Sequence, residues 1–369
     1  MTISSLTFSN FSRSTIQRVQ TQLVDAQKEF NTGRHADVGR TLGRVTGNAI
    51  SYRSQEDTYD SMLTSNKLIT SRFQLMDNAL SSVRTSADDY SKALINGTAT
   101  GTGTAALVQS AQQGLQQVLG AVNVSSSGEF LFGGTHANTQ PIQSDNTAVT
   151  GLYGAVQSKF LDALGISDVS QATQAQVQAY FSDSGYTKAG ATTARSFKVD
   201  FYGVPAVPAN PPTAAVPAVP GIWDGIADTG GAASTAYISR SEQINTSVNV
   251  NTDAFKDTVA AYAMIGALDI SKMGDSARQA LTTAAQSKLK AGQDGIVKVQ
   301  ADLGVRQNRV EAANTLLTKQ KDIVAAAYDR LEGVDQTEAG LLINQLKTQL
   351  DATFAVTGKL QGLSILNYL

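Results

Sequence analysis

The chain has no cysteine among its 369 residues, which excludes disulfides, thiolate nucleophiles and zinc–thiolate sites in any compartment. It has two histidines, His35 and His136, so near-neutral proton transfer and imidazole ligation have little to draw on. Charged side chains make up 16% of the sequence, against roughly 25% in ordinary domains. Ser, Thr, Gln, Asn, Ala and Gly take their place, a composition that suits surfaces packed against copies or neighbours. The formal net charge of −2 gives no basic field for phosphate backbones, so nucleic acid is not expected as a partner. No apolar run of about 18 residues is present to span a bilayer, and no membrane partner is expected. The start, Met1-Thr2-Ile3-Ser4-Ser5-Leu6, lacks both a cationic segment and a continuous apolar one, so a cleaved secretory signal is not expected.

What the chain does have is hydrophobic heptads near both ends. Tyr59, Met62, Ile69, Phe73, Met76, Leu80, Val83, Ala87, Tyr90 and Leu94 follow an alternating three-and-four spacing broken only by Asn66. Leu289, Ile296, Val299, Leu303, Val310, Ala313, Leu317, Val324, Ala327 and Leu331 follow the same rule, interrupted at Gly292, Arg306 and Gln320. Such seams want a partner helix along most of their length, and the two ends most simply supply each other. The expected fold is mainly α: an elongated antiparallel coiled-coil rod built from both termini, with an inserted β-containing (α+β) domain in the middle.

The expected division is an N-terminal arm (1–45), a first rod half (46–140), an insert (141–248), a second rod half (249–332) and a C-terminal arm (333–369). In the first arm Ile16, Val19, Leu23, Ala26 and Phe30 keep heptad spacing. Burying five such side chains gains less than the backbone of the segment loses in entropy, so each arm is expected to be disordered in the free monomer. In the last arm Leu342, Leu346, Leu350, Phe354 and Leu360 form an apolar stripe. Charge towards that end leans acidic (Asp322, Asp329, Glu332, Asp335, Glu338 and Asp351) and in the first arm basic (Arg13, Arg18, Lys28, Arg34, Arg40 and Arg44), and the two arms are expected to pair. Gly33, Gly39, Gly43 and Gly47 read as a turn region, within which Asp37 or Thr41 can cap a short helix.

The middle is different material. Glu129-Phe130-Leu131-Phe132 reads as a strand stopped by Gly133-Gly134, and the alternation of Phe197, Val199 and Phe201, then of Val248 and Val250, argues for half-buried strands. Pro205, Pro208, Pro211, Pro212, Pro217 and Pro220 predict a loop or stiff excursion between them. Helix resumes at Thr252-Asp253, either of which can cap it, and Asp275 can cap the last long helix.

No catalytic constellation emerges, so the chain is read as a non-enzyme with no catalytic, metal or cofactor residues and no cofactor. His35 with Asp37 lacks a third ligand. Gly101-Thr102-Gly103 is followed by no lysine and completes neither a dinucleotide fingerprint nor a phosphate loop. Asp88 and Asp89 lie on adjacent helix positions and read as a solvated face. Trp223, the only tryptophan, is expected as a core anchor of the insert. A carbohydrate platform there is the alternative from another class, a glycan-binding or enzymatic insert on a coiled-coil stalk.

Four segments carry a resemblance to a known family: Asn31-Thr32-Gly33-Arg34, Phe130-Leu131-Phe132-Gly133-Gly134-Thr135, Leu303-Gly304-Val305-Arg306-Gln307-Asn308-Arg309-Val310-Glu311, and Leu363-Ser364-Ile365-Leu366-Asn367-Tyr368-Leu369. In order and in distance from the termini they resemble the flagellin superfamily, and within it the hook-associated junction proteins. Where the family commonly turns through Asn-x-x-x-Asp-Asp, this chain has His35-Ala36-Asp37-Val38-Gly39. The resemblance covers about 1–140 and 250–369 and leaves the middle uncovered. It implies a structural protein of the bacterial flagellum, either an adaptor joining hook to filament or a filament-forming flagellin. It implies export through the flagellar type III apparatus without a cleaved signal, hence an extracellular location. The partners implied are a ring of copies, a neighbouring hook-associated protein, flagellin, and an export chaperone on the C-terminal helix. The assembly interface would use Ile16, Val19, Leu23, Phe30, Leu342, Leu346, Leu350, Phe354, Leu360, Leu363 and Leu366. The rod seam would use Phe73, Met76, Leu80, Val83, Ile296, Val299, Leu303, Val310, Leu317 and Val324.

Overall fold

Stretches with a three-and-four apolar repeat fold as helices, and they dominate the chain. A computed structural model describes residues 5–98, 103–206 and 217–366; the side chains of 5, 6, 8, 9, 97, 98 and 360–366 lie outside that description. The helices are α1 (Ser5–Thr32), α2 (Val38–Leu42), α3 (Thr46–Thr98), α4 (Thr104–Val122), α5 (Asn146–Leu164), α6 (Gln174–Phe181), α7 (Phe197–Tyr202), α8 (Asp253–Ala267), α9 (Asp275–Glu332) and α10 (Gln336–Leu366). Two antiparallel hairpins complete the set, β1 (Ser125–Ser126) with β2 (Glu129–Phe130) and β3 (Thr235–Tyr237) with β4 (Gln243–Asn245). The fold is thus mainly α with a small inserted β component. The chain forms two compact units, 65–313 and the paired ends 1–64 with 314–369, and α3 and α9 contribute to both.

In the central unit the seam residues Ile69, Phe73, Met76, Leu80, Val83, Ala87, Tyr90 and Leu94 are buried, as are Leu289, Ile296, Leu303, Val310 and Ala313 opposite. Gln300 Nε2 donates to Asp77 Oδ1 at 3.0 Å and Gln293 Nε2 to Asp88 Oδ1 at 2.7 Å, so α3 and α9 run antiparallel there. Past the polar first turns of α8 every residue from Thr258 to Gly266 is buried, the signature of a central helix. Small residues let it approach so closely. A Cβ on Gly292 would sit 2.8 Å from the Thr258 backbone nitrogen, one on Gly295 2.8 Å from the Ala254 Cβ, and one on Gly114 would overlap the Tyr262 ring.

Three of the seam interruptions, Asn66, Gly292 and Arg306, have partners in the middle of the chain. Gly292 admits α8. Buried Asn66 donates through Nδ2 to the Ile238 carbonyl at 2.8 Å. The Arg306 guanidinium donates to the carbonyls of Ser247 at 2.9 Å and Asn245 at 3.3 Å, and Arg309 Nε donates to Glu242 Oε1 at 2.9 Å. These contacts hold the β3–β4 hairpin against α3 and α9.

Three strand expectations in the middle are corrected. Phe197, Val199 and Phe201 form helix α7, capped by Ser196, whose Oγ accepts from the Val199 N–H; Phe197 and Phe201 are buried one turn apart, and Val199 is exposed. Val248 and Val250 are buried outside any ladder, with Val250 N–H donating to Phe132 O. Of Glu129–Phe132 only the first two residues pair, and buried Leu131 and Phe132 lead into turns. The insert core is an aromatic cluster that includes Phe160, Tyr180, Phe197, Phe201 and Trp223. Beside it buried Asp200 accepts from Tyr180 Oη at 3.0 Å and Arg195 at 2.6 Å. Trp223 is fully buried, and its Nε1 donates to Asn251 Oδ1 at 3.2 Å. Of the proline excursion, Pro208, Pro211 and Pro212 lie outside the described residues, but its base is closed by reciprocal backbone bonds of 2.8 and 2.9 Å between Val204 and Val219.

Candidate assembly surfaces

In the unit formed by the paired ends, α1 and α10 pack against each other. Val19, Ala26 and Leu346 are buried between them, flanked by Leu23, Ile343 and Leu350. Phe30 meets Gly340 near one end of the pair, and Phe11, Ser12 and Thr15 share an apolar groove with Gln349, Thr353 and Val356 towards the other, so the helices are antiparallel. The pairing expected of the arms is therefore present. Its chemistry is apolar: among the described residues the ion pairs of this unit are Arg34–Asp329, Arg40–Asp25 and Lys321–Asp60, and none joins α1 to α10.

On α1, Ile16 and Leu23 are half-buried and Val19 is buried. Phe30 remains 44% exposed although its ring edge reaches Gly340. Leu342, Leu346, Leu350 and Phe354 are spaced by four, and each such step advances about 40° around a helix, so the row drifts off the contact. Leu346 is buried and Leu350 half-buried, whereas Leu342 and Phe354 face outward. The contact line is Ala339, Ile343, Leu346 and Leu350, with Thr353 and Thr357 next, a three-and-four spacing in the sequence that the drifting leucine row obscured. The side chains of Leu360, Leu363 and Leu366 lie outside the described residues.

Pairing leaves several large apolar side chains exposed: Phe11, Val24 and Phe30 on α1, and Leu341, Leu342, Phe354 and Val356 on α10. Both arms start from a shared clasp. Gly33, at φ +68°, turns the chain out of α1, and its carbonyl accepts from Val334 N–H at 2.9 Å while His35 N–H donates to Glu332 O at 3.0 Å. The Arg34 guanidinium lies 4.9 Å from the centre of the Tyr328 ring and also pairs with Asp329. In the same unit Tyr59, Leu317 and Val324 of the long seams are buried, with Met62 beside them. Of the predicted seam residues in the central unit, Val299 alone is only half-buried.

The remaining chemistry is structural. His35 Nδ1 lies 3.5 Å from Glu29 Oε1, not on Asp37, which instead caps α2 by accepting from Arg40 N–H. Among the described residues no three His, Asp or Glu side chains converge as metal ligands. His136 pairs with Asp228 at 2.9 Å. The strongest pKa perturbations are those of buried phenols: burial pushes Tyr153 up to about 12 and also raises Tyr90, Tyr180, Tyr202 and Tyr262 well above the ordinary tyrosine value. Among the described residues no helix is long and apolar enough to cross a membrane.

Comparison with known proteins converges on both ends of the chain. Residues 3–137 match the family model of the bacterial flagellin N-terminal helical region, and residues 281–369 that of the bacterial flagellin C-terminal helical region. Among solved structures, one from Vibrio parahaemolyticus, described as a candidate flagellar hook-associated protein, is similar in fold. The TM-score is 0.50 at 9% sequence identity, covering 78% of this chain and 97% of the other. Among curated proteins, none matches the sequence significantly.

Proposed function

This chain belongs to the flagellin superfamily, the structural proteins of the bacterial flagellum, and from that premise we propose that it is an adaptor joining hook to filament. The observation that supports the reading is the α1–α10 pair, which buries one apolar line internally and leaves Phe11, Val24, Phe30, Leu341, Leu342, Phe354 and Val356 exposed. Lateral and axial contacts with copies in a ring, with a neighbouring hook-associated protein and with flagellin would cover these residues, and Leu360, Leu363 and Leu366 belong to the same proposed interface. The chain would leave the cell through the flagellar type III apparatus without a cleaved signal, a chaperone covering α10 until then, and function outside. Domain division at 45, 140, 248 and 332, with both arms ordering on assembly, belongs to the same proposal.

The family is structural and not enzymatic, and the buried indole of Trp223 removes the platform on which a glycan or substrate reading of that residue would rest. Deleting the protein tests the adaptor. The expected result is hooks without filaments, with flagellin shed into the medium. Filaments of normal length on the deletion strain would reject it, and growth of long polymers by the purified chain on its own seeds would favour a filament-forming flagellin.

A further inference from the structure

Between α4 and α5 the surface opens into a cleft of about 610 Å³ lined by Gln113, Gln116 and Gln117 from one helix and Asn146, Thr150 and Tyr153 from the other. No charged side chain lines it. Gln112 directs its amide to the Gly266 carbonyl at 3.3 Å, whereas Gln113, Gln116 and Gln117 are exposed and, among the described residues, make no side-chain hydrogen bond. The floor is apolar: Val149 is buried beneath the amides, and the Tyr153 ring is half-buried, its hydroxyl turned away from solvent without a hydrogen-bond partner. Gly266 makes room for that ring, since a Cβ there would come within 3.0 Å of Tyr153 Cε1.

A carboxamide offers two donors and an acceptor side by side, and so matches groups that each donate and accept. Neighbouring sugar hydroxyls and acetamido groups have that character. A lining without charge gains nothing from an ionic ligand, and a ring flank beside a buried valine offers surface to the C–H face of a pyranose. The volume falls in the range of roughly 300–1,000 Å³ common for ligand sites. We propose that this cleft binds a short neutral saccharide, with Gln113, Gln116 and Asn146 hydrogen-bonding its hydroxyls and Tyr153 and Val149 underlying its ring. The site is remote in sequence from Trp223 and does not depend on the junction role.

Saturation-transfer NMR on the purified full-length chain tests it, with N,N′-diacetylchitobiose, maltose and lactose as probes. The expected result is transfer to at least one of these, unchanged by added sodium chloride, and binding weakened about tenfold or more in the Gln113→Leu/Gln116→Leu variant. Both substituted positions are exposed on a helix, and circular dichroism verifies that the variant keeps its fold. Absence of transfer to all three disaccharides overturns the proposal, as does equal binding by the variant. Self-association of the wild type that the double substitution abolishes, without disaccharide binding, overturns it in favour of an interface between copies. Because the assay needs no flagellum, its outcome is separate from that of the deletion experiment.

Discussion

Gly292 shows how a single position can contradict its own sequence context. Within a helix, alanine is favoured over glycine by about 1 kcal/mol, so Gly292→Ala looks stabilising from the seam alone. The added methyl would press on Thr258, whose backbone nitrogen would be 2.8 Å away, and overpacking of a close helix contact costs roughly 1–3 kcal/mol or more. The variant is expected to unfold at lower denaturant concentration than the wild type; equal or greater stability would mean that α8 does not approach α9 as described. Asn66→Leu makes the complementary case, because it completes the heptad on paper. It would leave the buried Ile238 carbonyl without its donor at a cost of about 1–3 kcal/mol, so chemical denaturation should again show a loss. The apolar members of both seams were legible because they repeat. Their interruptions were not, since Asn66, Gly292 and Arg306 answer to Ile238, Thr258 and Ser247, and nothing local announces partners so far along the chain or beyond a turn.

At the scale of elements, periodicity resolved long helices and failed on short ones. Three apolar residues at alternate positions, as in Phe197 to Phe201, fit a strand, yet the first and third also lie a helical turn apart, and the Ser196 cap decided for α7. The same arithmetic blurred α10, where a row of leucines four apart hid the line through Ile343. Leu346 belongs to both rows and is buried against α1, so Leu346→Asp puts a carboxylate into the contact. The expected cost to the arm pair is about 3 kcal/mol or more. Under assembling conditions hydrogen exchange should show neither α1 nor α10 gaining protection while α4 and α8 keep theirs, and the variant should fail to assemble. Normal incorporation of Leu346→Asp would end the idea that this helix pair is a packing surface.

For the molecule as a whole, the two ends were readable and the middle was not. Family-like segments and heptads mark residues up to about 140 and beyond 250, whereas α5, α6 and α7 are short helices held by an aromatic cluster without a repeat. That cluster and the central helices carry buried phenols, which give the fold a distinct response to alkali. Burial raises the phenols of Tyr90, Tyr153, Tyr180, Tyr202 and Tyr262 above the ordinary tyrosine value, Tyr153 to about 12. An unfolded tyrosine ionises near pH 10, so the stabilisation linked to these raised values is intact below about pH 10 and is lost as pH climbs through the folded values. Ultraviolet titration of the tyrosines should show these buried phenols ionising only in step with loss of helical dichroism. A single smooth transition of all phenols in a still-helical chain would contradict the burial.

The reciprocal bonds between Val204 and Val219 have a practical side. They fix where that excursion leaves and rejoins the fold, so its ends stay in place whatever sequence runs between them. Lengthening such a closed segment costs only about 0.6 kcal/mol per doubling. Foreign epitopes or affinity tags spliced between these two valines would be carried as passengers, leaving the aromatic core and the terminal helices to fold as before.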